Sequence, residues 1–221
     1  VGGAIVWDSD IQDEWEETLT KTKFLNDEFQ IIETMKVENR NILFENEHFA
    51  RMKNAAIHFD FKFEKPKMII PKNDCMLRVL LNKDGNFEIQ TKEILNKINS
   101  KKVVISPIVQ NSKNEFLYYK TTYRPWFFDS SQKIKNGEIF DEIFFNENGE
   151  LTEGARSNIV LLIDKKMYTP PITCGLLNGI YRQKLIDDGK CFEKVLYKKD
   201  LENAEKIFCV NSVRGMVEVE L

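Results

Sequence analysis

Strand-like and helical patterns of apolar residues alternate along the first half of the chain. Apolar residues recur at helical spacing over residues 11–25 and 46–59, which predicts two amphipathic helices. Residues 29–37 form an apolar run typical of a strand, and residues 75–91 predict a β-hairpin. Another strand is predicted over residues 101–109. Helices and strands are therefore expected to lie side by side in this half.

Strand patterns dominate the second half. Apolar runs predict one strand over residues 138–145, one over residues 151–163, and closing strands within residues 206–221. A helix is predicted to open near Asn178. Because strands outnumber helices and the helices lie between them, the pattern predicts an α/β (α+β) fold. Residues 110–117 include the most linker-like segment, which suggests two lobes that meet there.

The composition narrows the classes of partner. The 221 residues are 42% hydrophobic and 30% charged, with a formal net charge of −3 and no basic block, so nucleic acid and anionic membranes are not expected as partners. The cysteines and histidines lack the spacing of a zinc site or a disulfide framework, so no metal is expected. No apolar run approaches the ~20 residues of a membrane-spanning helix. We expect small-molecule chemistry or protein contacts in a reducing cytoplasm.

Lys120 differs from the other lysines because it follows three apolar or aromatic residues in the stretch "LYYKTTYRPWFF". Such surroundings remove water from an amine and lower its pKa toward the range in which the neutral form exists. A neutral lysine is a nucleophile that attacks carbonyl groups. The alternative is a lysine at the polar end of a strand with its amine in water. The residues alone leave both interpretations open.

Several other positions could serve a bound ligand, and each has a plainer alternative. Glu153 precedes a glycine and could face the cationic ring nitrogen of a cofactor, or it could be a turn residue. Gly179 precedes a helical pattern whose free amides could receive a phosphate, or only water. Asn211 and Ser212 end a strand with donors suited to an anion, and they also suit a turn. Arg51, on the flank of its helix, could grip a phosphate or be solvated.

Five segments, in this order, carry a family resemblance: "ETMKVENRNILFENEHFARMKNAA", "YKTTYR", "TEGARSNIVLLIDKKMYTPP", "GLLNGIYRQ" and "FCVNSVRGMVEV". They resemble the fold-type IV pyridoxal-phosphate enzymes over about residues 28–221. This group contains the branched-chain and D-amino-acid aminotransferases and aminodeoxychorismate lyase. The resemblance implies a two-lobed fold with a small α/β domain and a larger, strand-rich pseudo-barrel domain. It also implies a homodimer.

The resemblance assigns a role to each candidate residue. Lys120 would hold pyridoxal 5'-phosphate as a Schiff base and move protons, and Glu153 would keep the pyridine nitrogen protonated. The residues expected to bind the phosphate are Arg51, Gly179, Ile180, Asn211 and Ser212. The residues expected to bind the substrate are Tyr123, Arg124 and Arg156.

Two segments, "KTTYR" and "VNSVRGMVEV", are most similar to aminodeoxychorismate lyase. They imply a lyase that converts 4-amino-4-deoxychorismate to p-aminobenzoate and pyruvate in folate biosynthesis. Tyr123 departs from the lyase pattern, in which asparagine is common at this position, and Val160 stands in place of the usual phenylalanine. One alternative is a class IV aminotransferase of the branched-chain or D-amino-acid type. Another is a non-catalytic domain of a synthase.

A separate resemblance covers the start of the chain. The stretch "VGGAIVWDSDIQDEWEETLTKTKFL" is similar to the C-terminal tail of chorismate-binding aminodeoxychorismate synthases. The chain is therefore expected to be part of a longer, bifunctional protein in which a synthase is fused to the lyase. The expected division is a synthase-like tail over residues 1–26, a small domain over 27–109, a linker over 110–117 and a cofactor-binding domain over 118–221.

Overall fold

The computed structural model describes residues 29–94 and 100–221, which form two β-sheets with helices between their strands. The smaller sheet consists of β1 (Ile31–Glu38), β2 (Asn41–Ile42), β3 (Cys75–Leu81) and β4 (Phe87–Lys92). These strands are antiparallel and lie in the order β2-β1-β3-β4. Helix α1 (Glu45–His58) packs against this sheet.

The larger sheet consists of β5 (Val103–Gln110), β6 (Asp141–Asn146), β7 (Leu151–Gly154), β8 (Asn158–Ile163), β9 (Lys166–Thr169), β10 (Cys191–Glu193), β11 (Lys206–Asn211) and β12 (Gly215–Val219). Its strand order is β10-β9-β8-β7-β6-β5, and β11 pairs with both β8 and β12. The β5–β6 and β9–β10 pairs are parallel. The helices of this part of the chain are α2 (Phe128–Asn136), α3 (Ile180–Asp187) and α4 (Lys198–Glu202). The predicted α/β (α+β) class is confirmed.

The core of the smaller sheet follows from the alternation of its strands. Met35 and Val37 of β1 are buried together with Leu77 and Val79 of β3, and all four belong to one cluster with Met52 of α1. Alternate residues of a strand point to the same face, so this face becomes a continuous apolar surface for the helix. Full burial of such side chains stabilises the fold by about 1.5–3 kcal/mol each.

Strand β8 is the centre of the larger sheet because it pairs with β7, β9 and β11. Its residues Ile159, Val160 and Leu161 are fully buried. A strand covered on both faces is expected to be a nearly continuous apolar run, as "NIVLLI" is. The first residue of β8, Asn158, pairs with Glu153 of β7 and with Val210 of β11.

The segment that carries Lys120 is hydrogen-bonded to the start of β1. The backbone N–H of Ile32 donates to the carbonyl of Lys120 at 2.9 Å, and the N–H of Thr122 donates to the carbonyl of Gln30 at 2.8 Å. These bonds join the smaller sheet to a segment that lies well beyond it in sequence. The backbone of Lys120 is therefore positioned by β1.

Aromatic rings fix the end of α1 against the same segment. The ring of Phe59 lies 5.0 Å from the rings of Phe29 and Phe116 and 5.1 Å from that of Tyr119. The imidazole of His58 stacks on Tyr119 at 4.2 Å. Aromatic pairs at such distances add to the stability that burial alone provides.

The single strand predicted over residues 151–163 is wrong, because the chain turns between β7 and β8. The carboxylate of Asp141 accepts hydrogen bonds from the hydroxyl of Ser157 and from the backbone N–H of Arg156, the latter at 3.3 Å. A Cβ on Gly154 would lie 2.6 Å from the same carboxylate, so glycine is required there. The buried carboxylate therefore draws the chain out of a continuous strand.

Helix α2 was not predicted from its sequence "FDSSQKIKN". Ser130 is its only fully buried residue, so the helix lacks the apolar stripe by which a helix is recognised. The sequence does contain a signal for the end of this helix, the glycine at position 137. Gly137 adopts a left-handed conformation with φ 77°, which is typical of a helix C-terminus.

The structure differs from the expected domain division at β5. This strand was assigned to the domain of residues 27–109, but it pairs with β6 in the larger sheet. The expected linker over residues 110–117 is also well anchored, since Gln110 ends β5 and Phe116 and Leu117 are buried. The domain boundaries themselves stay a prediction. The predicted helix of residues 11–25 and the synthase-like tail lie outside the described residues.

None of the helices in the described part of the chain is long and apolar enough to span a lipid bilayer.

We expect Phe116→Ala to destabilise the protein by ~3–5 kcal/mol, because the buried ring contacts Phe29, Phe59 and Tyr123. Denaturant unfolding measures the change in free energy. The matched control is Phe128→Ala, since Phe128 is 65% exposed and its loss should change stability by no more than ~0.5 kcal/mol. Equal effects of the two substitutions would contradict the assignment of Phe116 to a core between the sheets.

Candidate active site

A cavity of about 460 Å³ lies between the two sheets and gathers residues from both. The smaller sheet and α1 contribute Thr34, Met76 and Arg51, and the larger sheet contributes the ends of β7, β8 and β11. The predicted site residues that line it are Arg51, Lys120, Arg124, Glu153, Arg156, Gly179, Ile180, Asn211 and Ser212. Residues distant in sequence thus meet around one concave space, which is the usual form of a small-molecule site.

Lys120 is the amine of this cavity. The pKa of Lys120 is lowered to about 7, mainly by burial. The positive charges of Arg124 and Arg51 also lower this pKa, and they outweigh the acids Glu33 and Glu153, which raise it. About half of the amine is therefore neutral near pH 7. None of the ion pairs within residues 29–94 and 100–221 involves Lys120. Such an amine is suited to nucleophilic attack and to proton transfer.

Glu153 is a buried carboxyl group that lines the cavity and lies on β7. Burial raises the pKa of Glu153 to about 7, although Arg124, a hydrogen bond from the Leu177 backbone and Lys120 all act to lower it. The nearby Asp141 adds to the rise. A buried carboxyl with this pKa is stabilised as an anion when a cationic group is placed beside it.

A short loop before α3 is held by three side chains. Asn158 Nδ2 donates to the carbonyl of Leu177 at 2.9 Å, and Arg51 Nη1 donates to the carbonyl of Asn178 at 2.9 Å. Arg182 Nη1 donates to Asn178 Oδ1 at 3.1 Å. The loop is thus fixed before any ligand binds.

Gly179 ends this loop and caps α3, whose first residue is Ile180. A Cβ on Gly179 would collide with Asn158 Oδ1, so no other residue fits at this close approach. The first N–H groups of a helix have no partners within the helix and carry partial positive charge. Together with Arg51, the start of α3 offers the cavity a site for an anion.

Arg51 is itself held by a buried carboxylate. Its Nε and Nη2 each donate to Glu33 at 2.7 Å, and the imidazole Nδ1 of His48 lies 2.6 Å from Glu33 Oε2. Burial would raise the pKa of Glu33, but Arg51 and His48 outweigh this and lower it to about 2. Sequence reasoning missed both Glu33 and His48. The available signal was a carboxylate in the inward register of β1, beside Ile31 and Met35.

Arg124 and Arg156 both line the cavity but differ in their contacts. The guanidinium of Arg124 lies over the ring of Phe127 at 5.6 Å, and its Nε has no hydrogen-bond partner among the described residues. Burial lowers the pKa of Arg124. Arg156 instead lies over the ring of Phe140 at 4.6 Å and donates to the Phe140 carbonyl. The Nε of Arg156 likewise lacks a partner among the described residues, but its Nη2 is engaged by Phe140, so Arg124 is better placed than Arg156 to bind an anionic ligand.

The turn between β11 and β12 forms another wall. Asn211 Oδ1 accepts hydrogen bonds from the backbone N–H groups of Val213 at 3.1 Å and Arg214 at 2.9 Å. Ser212 Oγ donates to the carbonyl of Thr34 at 3.4 Å. Asn211 and Ser212 therefore form a turn, as the plainer interpretation predicted. The same turn lines the cavity.

Comparison with known proteins identifies the family of the chain. A match to the Amino-transferase class IV family covers residues 30–221. The chain belongs to this family. A protein of Schizosaccharomyces pombe named "Putative aminodeoxychorismate lyase" is 25% identical over 182 residues, which are 76% of this chain and 79% of that protein. The chain spans only 32–39% of the length of the first curated relatives it matches.

Solved structures of class IV relatives share the fold. A crystal structure titled "Putative amino-acid aminotransferase" from Mesorhizobium loti has a TM-score of 0.78 at 25% identity, covering 87% of this chain and 99% of that one. A structure titled "A hypothetical aminotransferase from Mycobacterium tuberculosis, PLP-bound form" has a TM-score of 0.71 at 17% identity, covering 86% of this chain and 80% of that one. The expected fold and family are confirmed.

Tyr123 differs from the other predicted site residues of this class IV protein because it is absent from the cavity lining. Its ring lies 5.1 Å from that of Phe116 and 6.2 Å from that of Trp126. The chain turns after Lys120, so that Arg124 lines the cavity while Tyr123 joins the neighbouring rings. A contact of Tyr123 with substrate stays a prediction.

We expect the aldehyde reactivity of Lys120 to rise as the pH increases through about 7, because the neutral amine forms above its pKa. Reductive methylation of the apoprotein with formaldehyde, followed by peptide mass spectrometry at several pH values, measures this. The exposed Lys135 on α2, which does not line the cavity, serves as the control. Parallel profiles for the two lysines would show that the cavity does not lower the pKa of Lys120.

Proposed function

We propose that this protein is a pyridoxal-phosphate-dependent lyase that converts 4-amino-4-deoxychorismate to p-aminobenzoate and pyruvate. The observation that carries the proposal is the cavity that joins a lysine of pKa about 7, a buried carboxyl and an arginine-braced helix start. Membership of the class IV aminotransferase family supports the cofactor. The match to the Schizosaccharomyces pombe protein, which covers 76% of the chain at 25% identity, supports lyase activity within that family.

The residues of the cavity fit pyridoxal phosphate. Lys120 offers a neutral amine for the aldehyde, and the Glu153 carboxylate can pair with a protonated pyridine nitrogen. The phosphate fits the start of α3 at Gly179 and Ile180, beside Arg51 and the turn at Asn211 and Ser212. When bound, the cofactor supplies an electron-accepting ring for the bonds at the carbon that bears the substrate amine.

Lys120 then performs the proton transfers. With cofactor and substrate bound, the amine of Lys120 would take the proton from C4 of the substrate. The resulting ammonium can give that proton to the departing enolpyruvyl group, whose bond to the ring breaks as the ring becomes aromatic. A lysine with a pKa near 7 can serve as base and then as acid with little cost to either step.

The charge of the cavity supports an anionic substrate. Its cationic lining residues are Arg51, Lys92, Lys120, Arg124, Arg156 and Arg214, whereas its acidic ones are Glu93 and Glu153. Glu33 accepts hydrogen bonds from two nitrogens of Arg51, and the carbonyl of Phe140 accepts one from Arg156. We therefore assign Arg124 to a substrate carboxylate, and 4-amino-4-deoxychorismate carries two carboxylates.

The second candidate is an aminotransferase that uses the same lysine and cofactor with a 2-oxo acid. The names of the Mesorhizobium and Mycobacterium structures favour it. Both reactions begin with proton removal by Lys120, so the residues described do not separate them. A domain without catalysis, acting only on a synthase partner, is the third candidate.

We expect the purified protein to bind pyridoxal phosphate with a yellow absorbance band that borohydride reduction removes, leaving a labelled Lys120 peptide. Lys120→Ala should abolish the labelled peptide and lower turnover by at least ~10²–10⁴-fold, the usual contribution of a general base. Lys135→Ala is the control, because Lys135 is exposed on α2. A yellow band and unchanged turnover in Lys120→Ala would falsify the assignment.

We expect 4-amino-4-deoxychorismate alone to yield equal amounts of p-aminobenzoate and pyruvate, because elimination needs no second substrate. Chromatography of p-aminobenzoate and a coupled assay of pyruvate measure the two products. The aminotransferase predicts turnover only after a 2-oxo acid is added. Pyridoxal phosphate binding with no turnover of either kind would favour the non-catalytic domain.

A further inference from the structure

We propose that Glu33, braced by His48, is a positioning residue that sets Arg51 and the loop of residues 177–179 for the cofactor phosphate. This inference rests on the proposed binding of pyridoxal phosphate. It concerns two side chains that do not line the cavity themselves. They would act on the phosphate site through Arg51.

The contacts of Arg51 fix the guanidinium in one orientation. Glu33 accepts from Nε with Oε1 and from Nη2 with Oε2, both at 2.7 Å, which is the two-point arrangement that defines the plane of the group. Nη1 donates to the carbonyl of Asn178 at 2.9 Å. An arginine has five N–H donors, so two remain for an anion. Their direction is set by the bonds to Glu33.

His48 holds the carboxylate from the other side. It is three residues before Arg51 on α1, so both side chains leave the same face of the helix. Its Nδ1 lies 2.6 Å from Glu33 Oε2, and both side chains are almost completely buried. Because an ionised carboxylate can only accept hydrogen bonds, His48 Nδ1 must carry the hydrogen. Glu33 therefore cannot turn away from Arg51 without losing this bond.

The position of Glu33 on β1 links it to the rest of the site. Its neighbour Ile32 donates to the carbonyl of Lys120 at 2.9 Å, and its other neighbour, Thr34, accepts from Ser212 Oγ at 3.4 Å. Three consecutive residues of β1 thus contact the lysine segment, the arginine and the β11–β12 turn. A shift of β1 would move all three together.

Two effects of Glu33 on a bound phosphate oppose each other. Its negative charge weakens the attraction of Arg51 for an anion, whereas its two hydrogen bonds hold the arginine in place. Removal of the charge alone would tighten phosphate binding, but removal of the orientation would weaken it. We expect orientation to dominate, because Arg51 also fixes Asn178 and thereby the loop before α3.

The decisive experiment compares pyridoxal phosphate with pyridoxal, which lacks the phosphate, in titrations of the apoprotein. Glu33→Gln keeps the shape of the side chain but offers one acceptor in place of two. We expect its Kd for pyridoxal phosphate to rise by tenfold or more, which is ~1.4 kcal/mol or more, whereas its Kd for pyridoxal changes by less than about twofold. Partners that orient the ligands of metal sites have effects of about 10–100-fold on metal affinity, which is the same order of magnitude.

The matched control is Glu142→Gln. Glu142 is also a buried carboxylate paired with a cation, Lys133 at 3.2 Å, but it does not line the cavity. This variant should leave both dissociation constants unchanged. The inference is wrong if Glu33→Gln behaves like the control, weakens both ligands equally or binds pyridoxal phosphate more tightly.

His48 provides an independent test should Glu33→Gln fail to fold. Asparagine places its amide nitrogen close to the position of imidazole Nδ1, so His48→Asn should keep the affinity for pyridoxal phosphate near that of the wild type. His48→Leu removes the donor and should show the phosphate-selective loss. Equal behaviour of the two variants would contradict the bracing role. Failure of the wild type to bind pyridoxal phosphate at Lys120 would instead overturn the proposed function.

Discussion

The buried ion pair between Glu33 and Arg51 is the interaction on which the geometry of the cavity depends. A buried charge that loses its partner costs about 3–5 kcal/mol, so the protein must keep both groups satisfied. It does so with His48 on the carboxylate and the Asn178 carbonyl on the guanidinium. The strand β1, the helix α1 and the loop before α3 are thereby tied to one another at the wall of the cavity.

Removal of water acts on the pKa values of Lys120 and Glu153 in opposite directions. Burial disfavours the charged form of each group, so it lowers the pKa of Lys120 and raises the pKa of Glu153. Both values are about 7 as a result. One physical cause therefore produces an amine and a carboxyl that can each change protonation near neutral pH, which is the requirement for acid–base chemistry.

The arginines of the cavity show how packing separates residues of one type. Three of the four show this. Arg51 is held by a carboxylate and Arg156 by the carbonyl and ring of Phe140, whereas Arg124 lies over Phe127. These three carry the same charge and border the same space. Their different contacts give them different capacities to bind an anion.

The sequence by itself determined most strands of both sheets and the long helix α1, because apolar periodicity is a local feature. It singled out Lys120 by its unusual neighbours. It also contained the family resemblance. It did not reveal the turn at residues 155–157, because a carboxylate on another strand, Asp141, causes it.

Only the tertiary structure decided which side chains act together. Glu33 and His48 look ordinary in β1 and α1, and the sequence does not show that the ring of Tyr123 packs beside those of Phe116 and Trp126. The hydrogen bonds that decide these roles join residues far apart in the chain, such as Arg51 and Asn178. Local sequence patterns do not encode such partners, because the packing of the two sheets brings them together.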